Sequence, residues 1–129
     1  MNAQTSADVV RSYLSAMERR DLPAAQALLA PGFSMTFPGG RTFTTLAELV
    51  EWAKPRYKRA LKRYDRYDEA PQSDGSTVVY CYGTLFGELL DGRPYEGVRF
   101  IDRFTVRGGL LADQMVWNDM AEVLGQLGR

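Results

Sequence analysis

The stretch from Val98 to Val106 alternates with period two, the mark of a strand that turns one face to a core. Val98, Phe100, Asp102, Phe104 and Val106 share one face, and Arg99, Ile101, Arg103 and Thr105 share the other. The anomaly is the carboxylic acid between two phenylalanines. An unpaired carboxylate in apolar surroundings is costly, so Asp102 has to be hydrogen-bonded, ion-paired, held neutral by desolvation, or set on a polar cavity. The first two readings make it structural; the last two make it a functional group.

The rest of the composition bounds what such a strand can belong to. A chain of 129 residues, 45% hydrophobic and 12% aromatic, has material for one core, and one domain over residues 1–129 is expected. Lys and Arg number 16 and Asp and Glu 16, so no overall field draws the chain to nucleic acid or an anionic membrane. No run approaches the roughly 18 apolar residues of a membrane span, and the first residues lack a basic leader and an apolar core. A cytoplasmic protein without nucleic-acid or membrane partners is therefore expected. Cys81, the single cysteine, sits in an apolar strand pattern as a small buried hydrophobe. There is no histidine, which removes Ser-His-Asp and Cys-His catalysis and the commonest ligand of zinc, copper and iron. No glycine-rich phosphate loop occurs either, and the expectation is neither a metal nor another cofactor.

Taken in order, Asp8 to Arg19 carries Val9, Val10, Tyr13, Leu14 and Met17 at helical spacing, with Thr5 or Ser6 as cap. Asp21 and Pro23 open a shorter helix that ends by Pro31-Gly32. Phe33 to Phe37 and Arg41 to Phe43 read as a hairpin around Pro38-Gly39-Gly40. Thr45 and Glu48 have capping-box spacing, and a stripe from Leu46 to Tyr64 predicts the longest helix, kinked or divided at Pro55. The basic residues between Lys54 and Arg66 are either a phosphate-contacting surface or the wet side of that helix, the reading preferred here. A strand from about Arg63 to Ala70 follows. The remainder reads as an antiparallel meander: Thr77 to Leu90, Tyr95 to Val106, and Leu110 to Asp119.

Helices first, then a long sheet with an acid in the middle of its central strand, resembles the nuclear transport factor two superfamily over nearly the whole chain. That resemblance implies a cone-shaped α+β domain with helices packed on a curved antiparallel, or mixed, sheet and a pocket between them. At residue level it is similar to the ketosteroid isomerases, and also to the SnoaL-like polyketide cyclases. By this likeness Tyr13 stands for an oxyanion-hole tyrosine, Asp102 for a carboxylic acid held neutral beside it, and Trp117 for a pocket wall. The family's proton-shuttling carboxylate has no counterpart in Met35-Thr36-Phe37-Pro38.

The chemistry implied is isomerase-like or cyclase-like, acting on an apolar carbonyl compound. Asp102 and Tyr13 would stabilise an oxyanion, and Glu88 or Asp119, near strand ends, would move the proton. Phe37, Tyr82, Phe86, Phe100, Phe104, Met115 and Trp117 are the candidate lining for a small apolar molecule. The alternatives are a non-catalytic binder of such a molecule and a dimerisation module. A homodimer is expected because Val79, Cys81, Leu85, Leu89 and Ile101, assigned to the face opposite the pocket, are too apolar to stay wet.

Overall fold

Thr5 caps the first helix through a reciprocal pair of contacts with Asp8, and the chain is described from there by a computed structural model covering residues 4–127. The reading of the first three residues as lacking a leader lies outside the described residues. Helix α1 (Ser6–Glu18) buries Val9, Val10, Tyr13, Leu14 and Met17, the stripe its spacing predicts. Asp21 accepts from the Ala24 amide and opens α2 (Leu22–Gln26), with proline in its first turn. Strands β1 (Leu29–Phe37) and β2 (Arg41–Phe43) form the expected hairpin. Then come α3 (Leu46–Ala53), β3 (Arg59–Pro71), β4 (Thr77–Glu88), β5 (Pro94–Arg107), β6 (Leu110–Asn118) and α4 (Met120–Gln126).

The six strands form one curved, open, mixed sheet in the order β2-β1-β6-β5-β4-β3, and the helices pack on its concave side. Strands β3 to β6 are an antiparallel meander, while β1 runs parallel to β6. This is the α+β cone that the resemblance implies.

Several expectations fail. The shorter helix ends at Gln26, and Pro31-Gly32, read as its end, lie inside β1. The long helix from Leu46 to Tyr64 stops at Ala53, because Pro55 has no amide to continue the ladder and the chain turns into β3. Within β3 a bulge between Tyr64 and Arg66 turns Tyr64 and Tyr67 to the same side. The basic residues are thus not the wet side of a helix. The chain after β6 is not all β either, since α4 packs Met120, Val123 and Leu124 against the core.

Register settles which face is which. Cys81 pairs with Asp102, Val79 with Phe104 and Leu85 with Val98, so Val79, Cys81 and Leu85 lie inside with the helices. Leu89 is buried with them, and of the set assigned to the opposite face only Ile101 belongs there. Tyr82 pairs with Ile101 and therefore faces outward, as do Tyr80 and Phe86. On β6 a shift near Val106 reverses the alternation: Leu111 points in, then Gln114 and Val116 do, leaving Met115 and Trp117 outside.

Strand β3 crosses β4 at very short range. A Cβ on Gly83 would lie 1.9 Å from the Arg63 carbonyl oxygen, and one on Gly87 would lie 2.1 Å from that of Arg59. These two glycines let β3 curl over the concave face, which carries Lys62 and Tyr64 toward Phe100.

Candidate functional site

The curled sheet and the helices enclose a cavity of about 410 Å³. Its floor is Tyr13 from α1, Phe100 and Asp102 from β5, and Gln114 from β6, all buried. Leu49, Val50 and Trp52 of α3, Phe37 of β1, and Met120 and Leu124 of α4 supply apolar walls. Trp52 packs at 5.3 Å from Phe37 and 5.4 Å from Phe43, ring centre to ring centre, which fixes that wall. Exposed residues, among them Glu18, Arg20, Pro38 and Arg56, form the mouth.

Asp102 is fully buried, and its Oδ2 accepts a hydrogen bond from Lys62 Nζ at 2.8 Å. The lysine side chain keeps 21% exposure and lines the cavity, with its ammonium 5.1 Å from the Phe100 ring centre. Burial works against the Lys62 charge, but the attraction and hydrogen bond of Asp102 outweigh it, so its pKa is raised. The pair leaves the second carboxylate oxygen, Oδ1, buried without a partner.

Two more cavity atoms are in the same condition: the Tyr13 hydroxyl and Gln114 Oε1. Tyr13 is clamped edge-on against Phe104 at 5.9 Å and tilted on Phe33 at 6.2 Å, so its hydroxyl has little freedom to look elsewhere. Burial pushes that phenol's pKa up; the nearby Lys62 charge opposes the shift and the Asp102 charge adds to it. The site therefore offers an ammonium, a neutral phenol, a free carboxylate oxygen and an amide around one apolar space. Among the described residues no cluster of three or more His, Cys, Asp or Glu converges to hold a metal.

Of the residues singled out from sequence, Tyr13, Asp102, Phe37 and Phe100 line this cavity. Phe104 stands behind the floor in the core. Tyr82, Phe86, Met115 and Trp117 are on the other face of the sheet. Glu88 is held by Lys58 and Arg59, and Asp119 by Arg99, at the ends of β4 and β6; neither lines the cavity, although Asp119 lies between Asn118 and Met120, which do. Lys62 and Gln114 escaped sequence reasoning. The signal for Lys62 was the alternation Ala60, Lys62, Tyr64 after a helix-ending proline; Gln114 lay one residue out of the assumed parity.

Residues 10–114 match the SnoaL-like domain family. The chain belongs to that family. No curated protein matches the chain in sequence. In structure this SnoaL-like chain is similar to an NTF2-like protein of unknown function from Burkholderia pseudomallei, with a TM-score of 0.78 at 22% identity over 93% of this chain and 95% of that one. It is also similar to TerC co-crystallised with polyporic acid, with a TM-score of 0.77 at 16% identity over 96% and 98% of the two chains. A third likeness is to IdmH of Streptomyces antibioticus, described as a candidate polyketide cyclase, with a TM-score of 0.69 at 19% identity over 97% and 99%. These likenesses establish the NTF2-like fold, and one of these neighbours is described as a candidate polyketide cyclase.

Proposed function

We propose that this SnoaL-like domain binds a flat, largely apolar carbonyl compound in the cavity and promotes its enolisation, the first step of an isomerase or an aldol-type cyclase. The observation that carries the proposal is the convergence of the unpartnered Asp102 Oδ1, Tyr13 hydroxyl and Gln114 Oε1 on one apolar cavity beside the Lys62 ammonium. A buried polar atom without a partner costs about 1–3 kcal/mol, so a ligand that satisfies several of them recovers a large binding term. Apolar walls on both sides favour a thin, planar body.

In the proposed step, Asp102 Oδ1 takes the proton from the carbon next to the carbonyl, and that C–H electron pair becomes the enolate double bond. Negative charge then grows on the carbonyl oxygen. Lys62 Nζ and the Tyr13 hydroxyl donate to it in a water-poor site where such contacts are strong. In an isomerase the proton returns to another carbon. In a cyclase the enolate carbon attacks a second carbonyl of the same molecule, a C–C bond forms, and the new alkoxide takes a proton. Lys62 thus supplies the positive charge and Asp102 the base, while Glu88 and Asp119 are engaged by arginine and lysine side chains and do not line the cavity.

The test is deuterium uptake by 2-tetralone in D2O, followed by proton NMR. The wild-type chain should speed loss of the signal next to the carbonyl, and Asp102→Asn should slow it by about tenfold or more while ligand line broadening persists. Broadening without any protein-dependent exchange would support a binder and overturn the catalytic reading.

A further inference from the structure

The two arginines at the cavity mouth have no part in the step just described. Arg20 follows α1 in a left-handed conformation, φ 59°, and among the described residues it is the only non-glycine with positive φ. Its Nη1 donates to the Met17 carbonyl at 2.6 Å, which ties the guanidinium to the end of the helix. Arg56, in the turn after α3, sits over Trp52 with its guanidinium carbon 4.0 Å from the ring centre. Both line the cavity, and among the described residues neither meets a carboxylate within salt-bridge distance.

Two guanidiniums held on one opening by backbone and ring contacts, with carboxylates available elsewhere on the surface, form a positive rim. Tyr57 also lines the cavity; burial raises its phenol's pKa, and the charges of Arg20, Lys62 and Arg56 oppose that shift. The charge opposing them at the mouth is Glu18. Lys62 is already matched by Asp102, so the mouth retains a net positive charge.

We propose that the cavity is built for an amphipathic acid: a flat apolar body whose carbonyl or enol oxygen meets Lys62 and Tyr13 and whose far end carries a carboxylate held by Arg20 and Arg56. This rests on the reading of the cavity as a ligand site and adds the class of ligand. Planar guanidiniums suit a carboxylate because two N–H groups can meet two oxygens at once. A neutral ketone of the same shape reaches the floor but leaves the rim unused. The chemistry upstream is then one that delivers a free acid rather than an ester to this site.

The probes are 6-hydroxy-2-naphthoic acid and its methyl ester, titrated by calorimetry against wild type, Arg20→Asn, Arg56→Gln and Glu18→Gln. Asparagine is chosen at position 20 because it tolerates left-handed backbone, and each variant's fold is checked by its melting curve. Wild type should bind the acid about fivefold more tightly than the ester, a preference that shrinks in either arginine variant, grows in Glu18→Gln and fades with added salt. Equal binding of acid and ester, or a preference untouched by both arginine variants, would overturn this inference while the ester's binding keeps the cavity reading intact. Failure of both probes to bind would overturn the two together.

Discussion

Lys62 Nζ and Asp102 Oδ2 stand 2.8 Å apart although 40 residues separate them in sequence. The pair exists because β3 and β5 flank β4, with Lys62 beside Leu85 on one side and Asp102 beside Cys81 on the other. It explains how a fully buried acid between Phe100 and Phe104 is tolerated: the expected isolated acid has an ammonium as partner. Its predicted consequence is an asymmetry between breaking the pair and removing it. Lys62→Met should cost about 3–5 kcal/mol in urea unfolding because it strands the Asp102 charge, whereas Lys62→Met with Asp102→Leu should recover most of that. A single variant as stable as the parent would refute a structural role for the pair.

Stability should fall on the alkaline side. Cys81 is pushed by burial from 9.0 to about 12, and the phenols of Tyr13, Tyr64, Tyr67 and Tyr95 are raised from 10.0, mainly by burial. Each of these groups holds its proton in the folded state at a pH where the unfolded chain has lost it, so raising pH favours unfolding. Lys62 acts in the same direction: its raised pKa adds stability below its ordinary value of 10.5 that is lost as pH rises through the folded value. Urea midpoints should be level up to about pH 8.5 and then decline through pH 11. A flat profile from pH 8 to 11 would contradict the burial of these groups.

The outer face of the sheet should join a second copy of the chain. Trp117 is 50% exposed and Met115 37%, beside Leu61, Phe86 and Ile101, an apolar patch on a face that no helix covers. Arg63, Arg99 and Arg103 share this side with Asp68, Glu88 and Asp119, so a two-fold arrangement can set opposite charges against one another. Sedimentation should give a dimer at micromolar concentration, converted to monomer by Trp117→Asp. A wild-type monomer under those conditions would remove the proposal.

Gly83→Ala should destabilise by about 1–3 kcal/mol, since the added Cβ meets the Arg63 carbonyl at 1.9 Å and that backbone has to move. Gly125→Ala in α4, where nothing lies within 4 Å, should be neutral or stabilising by up to about 1 kcal/mol. Equal melting temperatures for the two variants would argue against the close crossing of β3 and β4. Loss of ligand binding in Gly83→Ala alone would tie that crossing to the placement of Lys62.

What the sequence determined by itself is local. The caps at Asp21 and Thr45 and the turn at Pro38-Gly39-Gly40 each rest on neighbours a few residues apart and stand where they were predicted, and Thr5 is the one of the two expected caps, Thr5 or Ser6, that the first helix uses. So does the anomaly of Asp102, because period-two alternation is written in nine consecutive residues. Tertiary structure decided the faces of β4 and β6 and the fate of the basic run. Strand β4 carries large side chains on both sides, so only its pairing of Cys81 with Asp102 selects the inner one. On β6 one irregularity near Val106 exchanged Met115 and Trp117 for Gln114 and Val116 at the cavity. Pro55 ended the helix and turned the run into a strand, and the curl permitted by Gly83 and Gly87 took Lys62 out of a charged surface and put it against Asp102. Periodicity is a property of adjacent residues; register is a property of two strands that meet only when the chain has folded, and one extra residue in either reverses every side chain beyond it.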